Sequence, residues 1–163
     1  MPNNAPNFEI ERKFLASAQS VSLDGLKSRS IVQGYISTEP VIRLRKQDDE
    51  HFLTVKKAVK DGGGMVNQEF ETAITQAQFY ELWKKVGAAV LFKQRYLKPL
   101  NDGLIAEIDV FSGNLTGLML IEVEFPDVES AQMFTPPEWF GREVTGDFRY
   151  ANNNLALCEG IPQ

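Results

Sequence analysis

Charged and apolar residues alternate in Phe8-Glu9-Ile10-Glu11-Arg12-Lys13-Phe14, the segment from which the fold class follows. Positions 9, 11 and 13 are charged, whereas positions 8, 10 and 14 are apolar. Because successive side chains of a β-strand point to opposite faces, this pattern predicts a strand with one charged face and one apolar face.

The same alternation recurs in six later pairs of residues, each pair separated by a single position. They are Arg43 and Arg45, Thr54 and Lys56, Glu69 and Glu71, Lys93 and Arg95, Glu107 and Asp109, and Glu122 and Glu124. Any one pair could simply belong to the solvent-exposed face of an antiparallel sheet. Such a face, however, usually mixes Ser, Thr, Gln and Lys. The segregation of basic and acidic pairs onto different strands favours a surface that binds charged groups, and the arginine fork suits phosphate oxygens.

The apolar faces of these strands need a cover. They carry Ile10, Phe14, Leu44, Val55, Phe70, Ile108, Val110, Ile121, Val123 and Phe125. Helices are predicted around 20–30, at 75–86, at 127–134 and at 147–158, and they and a partner subunit would cover this outer surface. We therefore expect a mainly β, α+β fold: a closed or nearly closed antiparallel barrel with a charged lumen, helices packed outside, and a homodimer.

Length and composition limit the remaining possibilities. The 163 residues predict a single domain spanning 1–163, with a flexible N-terminal segment at 1–7. The net charge of −5 argues against a nucleic-acid partner. No apolar run approaches the ~18 residues of a membrane span, and the N-terminus lacks a signal-peptide pattern, so a cytoplasmic protein is expected.

Rare residues narrow the chemistry further. A single cysteine, Cys158, and a single histidine, His51, exclude a cysteine-cluster zinc site and a multi-histidine metal site. His51 is predicted to lie in a solvated polar turn, and Gly62-Gly63-Gly64 in a hairpin turn. A metal would be bound by carboxylates, which suits Mg²⁺ or Mn²⁺.

The predicted lumen collects six basic and eight acidic side chains from the seven strands. Like charges ~4 Å apart repel by about 4 kcal/mol at an effective dielectric constant of 20, so each cluster needs counterions. A phosphate chain bound with divalent cations would satisfy both clusters. Direct salt bridges across the lumen would satisfy both clusters too. The spacing of the charged residues in the sequence is the same for both alternatives and does not distinguish them.

The residues also carry a resemblance. Glu9-Ile-Glu11-Arg-Lys13 is similar to the Glu-x-Glu-x-Lys signature of the CYTH superfamily, the triphosphate tunnel metalloenzymes, and the later pairs follow in that family's order over residues 8 to 157. Gln33-Gly34-Tyr35-Ile36-Ser37 and Asp147-Phe-Arg149-Tyr150-Ala-Asn152 most resemble the small bacterial inorganic triphosphatases.

The resemblance implies an eight-stranded tunnel and a role for each charged residue. Catalysis and substrate binding are assigned to Lys13, Arg43, Arg45, Lys56, Lys93 and Arg95, with Arg149 either at a tunnel mouth or on a helix surface. Metal binding is assigned to Glu9, Glu11, Asp109, Glu122 and Glu124, while Glu69, Glu71 and Glu107 would orient the basic side chains.

The implied activity is hydrolysis of inorganic tripolyphosphate, a small-molecule triphosphate, to pyrophosphate and phosphate with Mg²⁺ or Mn²⁺. Other triphosphates are further candidate substrates. Two alternatives share the same tunnel: a class IV adenylyl cyclase that converts ATP to cyclic AMP, and a polyphosphate-binding module without catalysis.

Overall fold

Eight antiparallel strands close into a barrel in the computed structural model, which describes residues 7–60 and 62–163. The strands are β1 (Phe8–Ala16), β2 (Lys27–Thr38), β3 (Val41–Gln47), β4 (Glu50–Ala58), β5 (Val66–Ala73), β6 (Val90–Pro99), β7 (Ile105–Phe111) and β8 (Met119–Glu124). Their order around the barrel is β1-β5-β4-β3-β2-β6-β7-β8. The prediction of a closed antiparallel barrel is confirmed. Most of the N-terminal segment predicted at 1–7 lies outside the described residues.

Strand register explains how the charged pairs reach one surface. Lys13 on β1 is the partner of Glu122 on β8, and Thr54 on β4 is the partner of both Arg43 on β3 and Glu71 on β5. Directly opposite residues share a face of the sheet, so these side chains all point into the barrel. Seven strands follow from the charged pairs, and β2 is the eighth, which carries no such pair.

Two of the predicted helices are present with their caps. Helix α1 (Gln76–Trp83) begins at Thr75, whose side chain forms a capping box with Gln78. Helix α2 (Val128–Met133) begins at Asp127, whose carboxylate accepts a hydrogen bond from the Ser130 amide.

Two helix predictions are wrong. Residues 20–30 contain turns and then the start of β2, because the ladder to β6 begins at Lys27 and overrides a weak helical pattern. The helix predicted at 147–158 is interrupted at Ala151, whose backbone is extended. It is replaced by a single 3₁₀ turn (Phe148–Tyr150) and the short helix α3 (Asn152–Leu155).

The outer surface is covered unevenly. Phe14, Ile108, Ile121 and Val123 are buried in a cluster that includes Ala131 of α2. Other predicted outer residues stay exposed, and they include Val55 and Phe70, which are register partners. Phe8 on the adjoining strand β1 is also exposed. We call Phe8, Val55 and Phe70 the outer apolar strip.

A C-terminal segment packs along β1 and bounds the cavity. The amide of Leu15 donates to the Arg142 carbonyl at 2.9 Å, and the amide of Val144 donates to the Lys13 carbonyl at 2.8 Å. Further on, Gly146 lies against Gly64 of the β4–β5 turn so closely that a Cβ on Gly64 would be 2.5 Å from the Gly146 Cα. Residues 144–148 and 150–153 then contribute to the lining of the barrel interior.

The two loop predictions have different outcomes. Gly62 to Gly64 lie in the turn between β4 and β5, as predicted. The prediction for His51 is wrong: it lies on β4, only 7% exposed, with its ring centroid 4.7 Å from that of Phe79 on α1. Residues 50 and 51 extend the ladder with β3, and α1 covers this end of it.

Candidate active site

A cavity of about 1060 Å³ occupies the barrel interior. Its lining includes thirteen of the predicted charged residues: Glu9, Glu11, Lys13, Arg43, Arg45, Lys56, Glu69, Glu71, Lys93, Arg95, Glu107, Glu122 and Glu124. Asp109 is fully buried and contacts two of these basic side chains. The structure therefore brings together the charged groups of all seven strands on which they were predicted.

The first group of contacts joins strands β3, β4 and β5. One oxygen of Glu71, Oε1, accepts from Arg45 Nη2 at 2.8 Å, and the other, Oε2, accepts from Arg43 Nη2 at 3.3 Å. The Thr54 hydroxyl lies between them, donating to Glu71 Oε2 at 2.7 Å and accepting from Arg43 Nη2 at 3.1 Å. Both arginines are thus held at their Nη2 atoms.

The second group lies on β6 and β7. Arg95 forms a two-point contact with Asp109, with Nε to Oδ1 and Nη2 to Oδ2 both at 2.7 Å, and Arg95 Nη1 also contacts Glu107. Lys93 Nζ lies 2.5 Å from Asp109 Oδ2. Burial lowers the pKa of Lys93, although the Asp109 charge opposes this.

The third group links β1 and β8. Lys13 Nζ lies 2.9 Å from Glu122 Oε1, and Arg95 Nη2 lies 2.6 Å from Glu122 Oε2. Burial is the largest single effect and disfavours both charges, but it is outweighed by the combined attraction of Glu122 and Glu11 for Lys13 and of Lys13, Lys93 and Arg95 for Glu122. The pKa of Lys13 is therefore raised, and that of Glu122 lies well below its usual range.

The fourth group surrounds Lys56 on β4. Its Nζ contacts Glu9, lies 3.4 Å from Glu11 Oε1 and lies 3.8 Å from Glu69 Oε2. Burial opposes the charge of Lys56, yet Glu11 and Glu9 raise its pKa. All six predicted lumen cations therefore have a carboxylate partner, so direct pairing across the lumen is present in this structure.

Pairing leaves some polar atoms without partners. The Nε atoms of Arg43 and Arg45 and the Oε2 atom of Glu69 are buried and have no hydrogen-bond partner within residues 7–60 and 62–163. A buried donor without an acceptor is costly, and buried polar groups in native proteins are mostly hydrogen-bonded. Arg43 and Arg45 both line the cavity, and each guanidinium group therefore keeps one N–H without an acceptor among the described residues.

Some carboxylates of the lumen lie close to other carboxylates, so negative charge is in excess there. Glu11 on β1 is the register partner of Glu124 on β8. Burial raises the pKa of Glu124 to about 7, and the charges of Glu9 and Glu107 add to this effect. Excess carboxylate charge of this kind suits a hard divalent cation with oxygen ligands. Within the described residues, no three His, Cys, Asp or Glu side chains are already arranged to hold a metal ion.

Arg149 lies outside the cavity lining. Its guanidinium binds both carboxylate oxygens of Asp147, at 3.0 Å and 2.7 Å, and the carbonyl of Gln163 at 2.6 Å. Its side chain is 41% exposed. The neighbouring Tyr150 is buried, and its carbonyl lies 3.4 Å from Lys13 Nζ.

Several lining residues were missed by the sequence analysis. Strand β2 contributes Arg29, Gln33 and Tyr35, and the C-terminal segment contributes Asn152. Gln33 Nε2 donates to the Tyr35 hydroxyl at 3.1 Å, and Asn152 Nδ2 lies 3.5 Å from Glu122 Oε1. The alternation Arg29, Ile31, Gln33, Tyr35 was a usable signal, but its inward face mixes charged, amide and apolar groups.

A closed eight-stranded barrel whose lumen carries paired basic and acidic strands defines a tunnel protein for a charged ligand. The CYTH domain family matches residues 7–126, and the chain belongs to this family.

Two relatives and one solved structure to which this chain is similar are described as inorganic triphosphatases. An inorganic triphosphatase of Nitrosomonas europaea is 45% identical over 153 residues, covering 91% of this chain and 97% of that protein. An inorganic triphosphatase of Acetivibrio thermocellus is 35% identical over 151 residues, covering 90% and 92%. The crystal structure of the inorganic triphosphatase NE1496 has a TM-score of 0.65 at 43% identity and covers 95% of this chain and 97% of that one.

Among the described residues, no helix has the length and apolar character to span a membrane.

Proposed function

We propose that this chain hydrolyses inorganic tripolyphosphate to pyrophosphate and phosphate inside the barrel, with Mg²⁺ or Mn²⁺ as cofactor. The observation that carries the proposal is a cavity lined by Arg43 and Arg45, whose buried Nε–H groups have no acceptor among the described residues, together with surplus carboxylates. The 45% and 35% identical relatives, both named inorganic triphosphatases, support the choice of substrate.

Substrate binding would replace some of the carboxylates that contact the lumen cations with phosphate oxygens. Tripolyphosphate would bind Lys13, Arg43, Arg45, Lys56, Lys93 and Arg95. Phosphate oxygens are strong acceptors for guanidinium and ammonium donors, so they can replace Glu9, Glu11 and Glu122, the carboxylates that hold Lys56 and Lys13 in the structure. The cavity of about 1060 Å³ is at the upper end of the range for small-molecule sites, which leaves room for hydrated ions.

The released carboxylates supply the metal ligands. We assign this role to Glu9, Glu11, Glu122 and Glu124. A divalent cation bound there would supply charge neutralisation for the transferring phosphoryl group and activate water. Asp109 is fully buried, and both its oxygens accept from Lys93 and Arg95, so we assign it to positioning these two cations.

The basic residues govern the chemical step. Water attacks a terminal phosphorus in line with the bridging oxygen, a new P–O bond forms, and the bond to the pyrophosphate leaving group breaks. The cations bind the equatorial and leaving oxygens, where negative charge spreads in the transition state. Glu71 and Glu107 would hold Arg43, Arg45 and Arg95 in place for this step.

The assignment of Glu11 can be tested separately from overall activity. Glu11→Gln keeps the side-chain shape but removes a charged ligand, so we expect activity at limiting Mg²⁺ to fall by at least about tenfold. Glu81→Gln is the matched control, because Glu81 is an exposed residue of α1. Full activity of Glu11→Gln at the same Mg²⁺ concentration would contradict the role of Glu11.

The homodimer is also part of this proposal. Phe8, Val55 and Phe70 of the outer apolar strip are 51%, 36% and 61% exposed, and an exposed apolar patch of this kind suits a protein contact. Location in the cytoplasm stays a prediction from the sequence.

A further inference from the structure

The side chain of Thr54 completes a hydrogen-bonded group beneath the substrate-binding arginines. Thr54 lies on β4, is 0% exposed, and has Arg43 and Glu71 as its register partners on the two neighbouring strands. Its Oγ1 atom donates to Glu71 Oε2 at 2.7 Å and accepts from Arg43 Nη2 at 3.1 Å. A hydroxyl is the simplest side-chain group that can donate and accept at one atom.

The Thr54 hydroxyl bridges the longer of the two contacts that Glu71 makes with the arginines. Arg43 Nη2 lies 3.3 Å from Glu71 Oε2, whereas Arg45 Nη2 lies 2.8 Å from Glu71 Oε1. By occupying the space between Arg43 and Oε2, Thr54 fixes the orientation of the carboxylate that both arginines share. Hydrogen bonds to charged groups are stronger than neutral ones and impose more orientation.

The orientation of Glu71 determines which guanidinium atoms of the two arginines are engaged. Because Arg43 and Arg45 are held at Nη2, their Nε–H groups are left without acceptors in the described part of the chain. We propose that Thr54 is a positioning residue, which holds Glu71 and Arg43 so that the guanidinium groups of the two arginines keep a fixed orientation toward a phosphate chain in the cavity that they line. The inference rests on the proposed function in so far as the bound anion is tripolyphosphate.

The test compares variants that separate the hydroxyl from the rest of the side chain. Thr54→Val keeps the shape and removes the hydroxyl, whereas Thr54→Ser keeps the hydroxyl and removes the methyl group. Thr72→Val is the matched control, because Thr72 on β5 is exposed and its hydroxyl contacts only the neighbouring Ala73 carbonyl, at 3.4 Å. Thr54→Ala is compared with Thr54→Ser if Thr54→Val does not fold.

Two readouts are measured on each variant: KM and kcat for tripolyphosphate with Mg²⁺, and the Kd for tripolyphosphate by calorimetry in EDTA. We expect Thr54→Val to raise KM and Kd about tenfold, the ratio that corresponds to about 1.4 kcal/mol, with kcat changed by less than about twofold. Thr54→Ser and Thr72→Val should stay within about twofold of the wild type.

The outcomes separate the two proposals. If the wild type binds tripolyphosphate without hydrolysing it and Thr54→Val still weakens binding, the positioning role holds and the proposed activity fails. If the wild type hydrolyses tripolyphosphate and Thr54→Val has wild-type KM and Kd, the positioning role is overturned and the activity holds. An equal loss of affinity in Thr54→Ser would also overturn it, because the hydroxyl would then not be the cause.

Discussion

The Nζ atom of Lys13 lies 2.9 Å from the Oε1 atom of Glu122, and these residues are register partners on β1 and β8. Both side chains are almost completely buried, at 10% and 7% exposure. The buried charge of Lys13 is therefore compensated by the opposite charge of Glu122 on the adjacent strand. In the other three groups, too, each lumen cation contacts a carboxylate on a different strand, so the charges of all six cations are compensated by side chains of the barrel.

Removal of one partner should destabilise the fold. Lys13→Gln leaves Glu122 buried with Arg95 as its remaining cation, and we expect the free energy of unfolding to fall by about 2 kcal/mol or more. Lys84→Gln is the control, because it breaks an exposed pair with Glu81 and should cost less than about 1 kcal/mol. Urea unfolding measures both, and equal effects would contradict a buried ion pair at Lys13.

The decrease in folding stability at acidic pH should depend in part on Glu143. The hydrogen bond from Arg12 lowers the pKa of Glu143 below its usual value of 4.5, and the hydrogen bond from Thr145 adds to this effect, whereas partial burial opposes it. Because the folded pKa is depressed, this contribution is complete above the unfolded pKa and is lost as pH falls through the folded one. Glu143→Gln should therefore reduce the urea midpoint at pH 7, and its difference from the wild type should shrink as the pH falls from 7 to 3. A constant difference from pH 7 to pH 3 would contradict this linkage.

Arg29 should assist substrate capture. Its side chain lines the cavity, and it has no hydrogen-bond or ion-pair partner among the residues that the structure describes. We expect Arg29→Gln to raise KM for tripolyphosphate about threefold at low salt, with a smaller effect at 0.15 M, where the Debye length is about 8 Å. Lys27→Gln removes the same charge from β2 outside the cavity lining and should leave KM unchanged. Equal KM shifts in both variants would indicate a net-charge effect instead.

The outer apolar strip should determine self-association. Phe70→Ser should convert a dimer to a monomer in sedimentation at micromolar concentration, because it removes the most exposed residue of the strip. Phe92→Ser is the matched control, since Phe92 is 47% exposed on β6, away from the strip. A monomeric wild type, or a dimer that survives Phe70→Ser, would contradict this interface.

The barrel was predictable because period-2 alternation is a local property of each strand. The segment around Glu9 and the six later pairs predicted seven strands and their inward charges. Strand β2 lacked that signal, because the tunnel-facing Ile31, Gln33 and Tyr35 resemble an ordinary half-buried strand. The helix predicted at 147–158 failed because Ala151 is extended where the segment bends over the cavity.

The contacts within the site were not predictable from spacing. Whether Glu71 binds Arg43 or Lys56 depends on strand order and register, which are set by pairing between distant segments. The burial of His51 likewise depends on α1 folding over the end of β4. The residue types predicted which charged groups line the lumen, whereas the strand order and register determined which of these side chains contact each other.

The central claim is that this lumen exchanges its internal ion pairs for a phosphate chain and a divalent cation, and then cleaves that chain. The most direct measurement is the initial rate of phosphate release from inorganic tripolyphosphate in Mg²⁺, Mn²⁺ or EDTA, with ATP in parallel. We predict release from tripolyphosphate that needs a divalent cation, stops in EDTA and exceeds release from ATP. No phosphate from tripolyphosphate with either cation would contradict the account, as would formation of cyclic AMP as the main product from ATP.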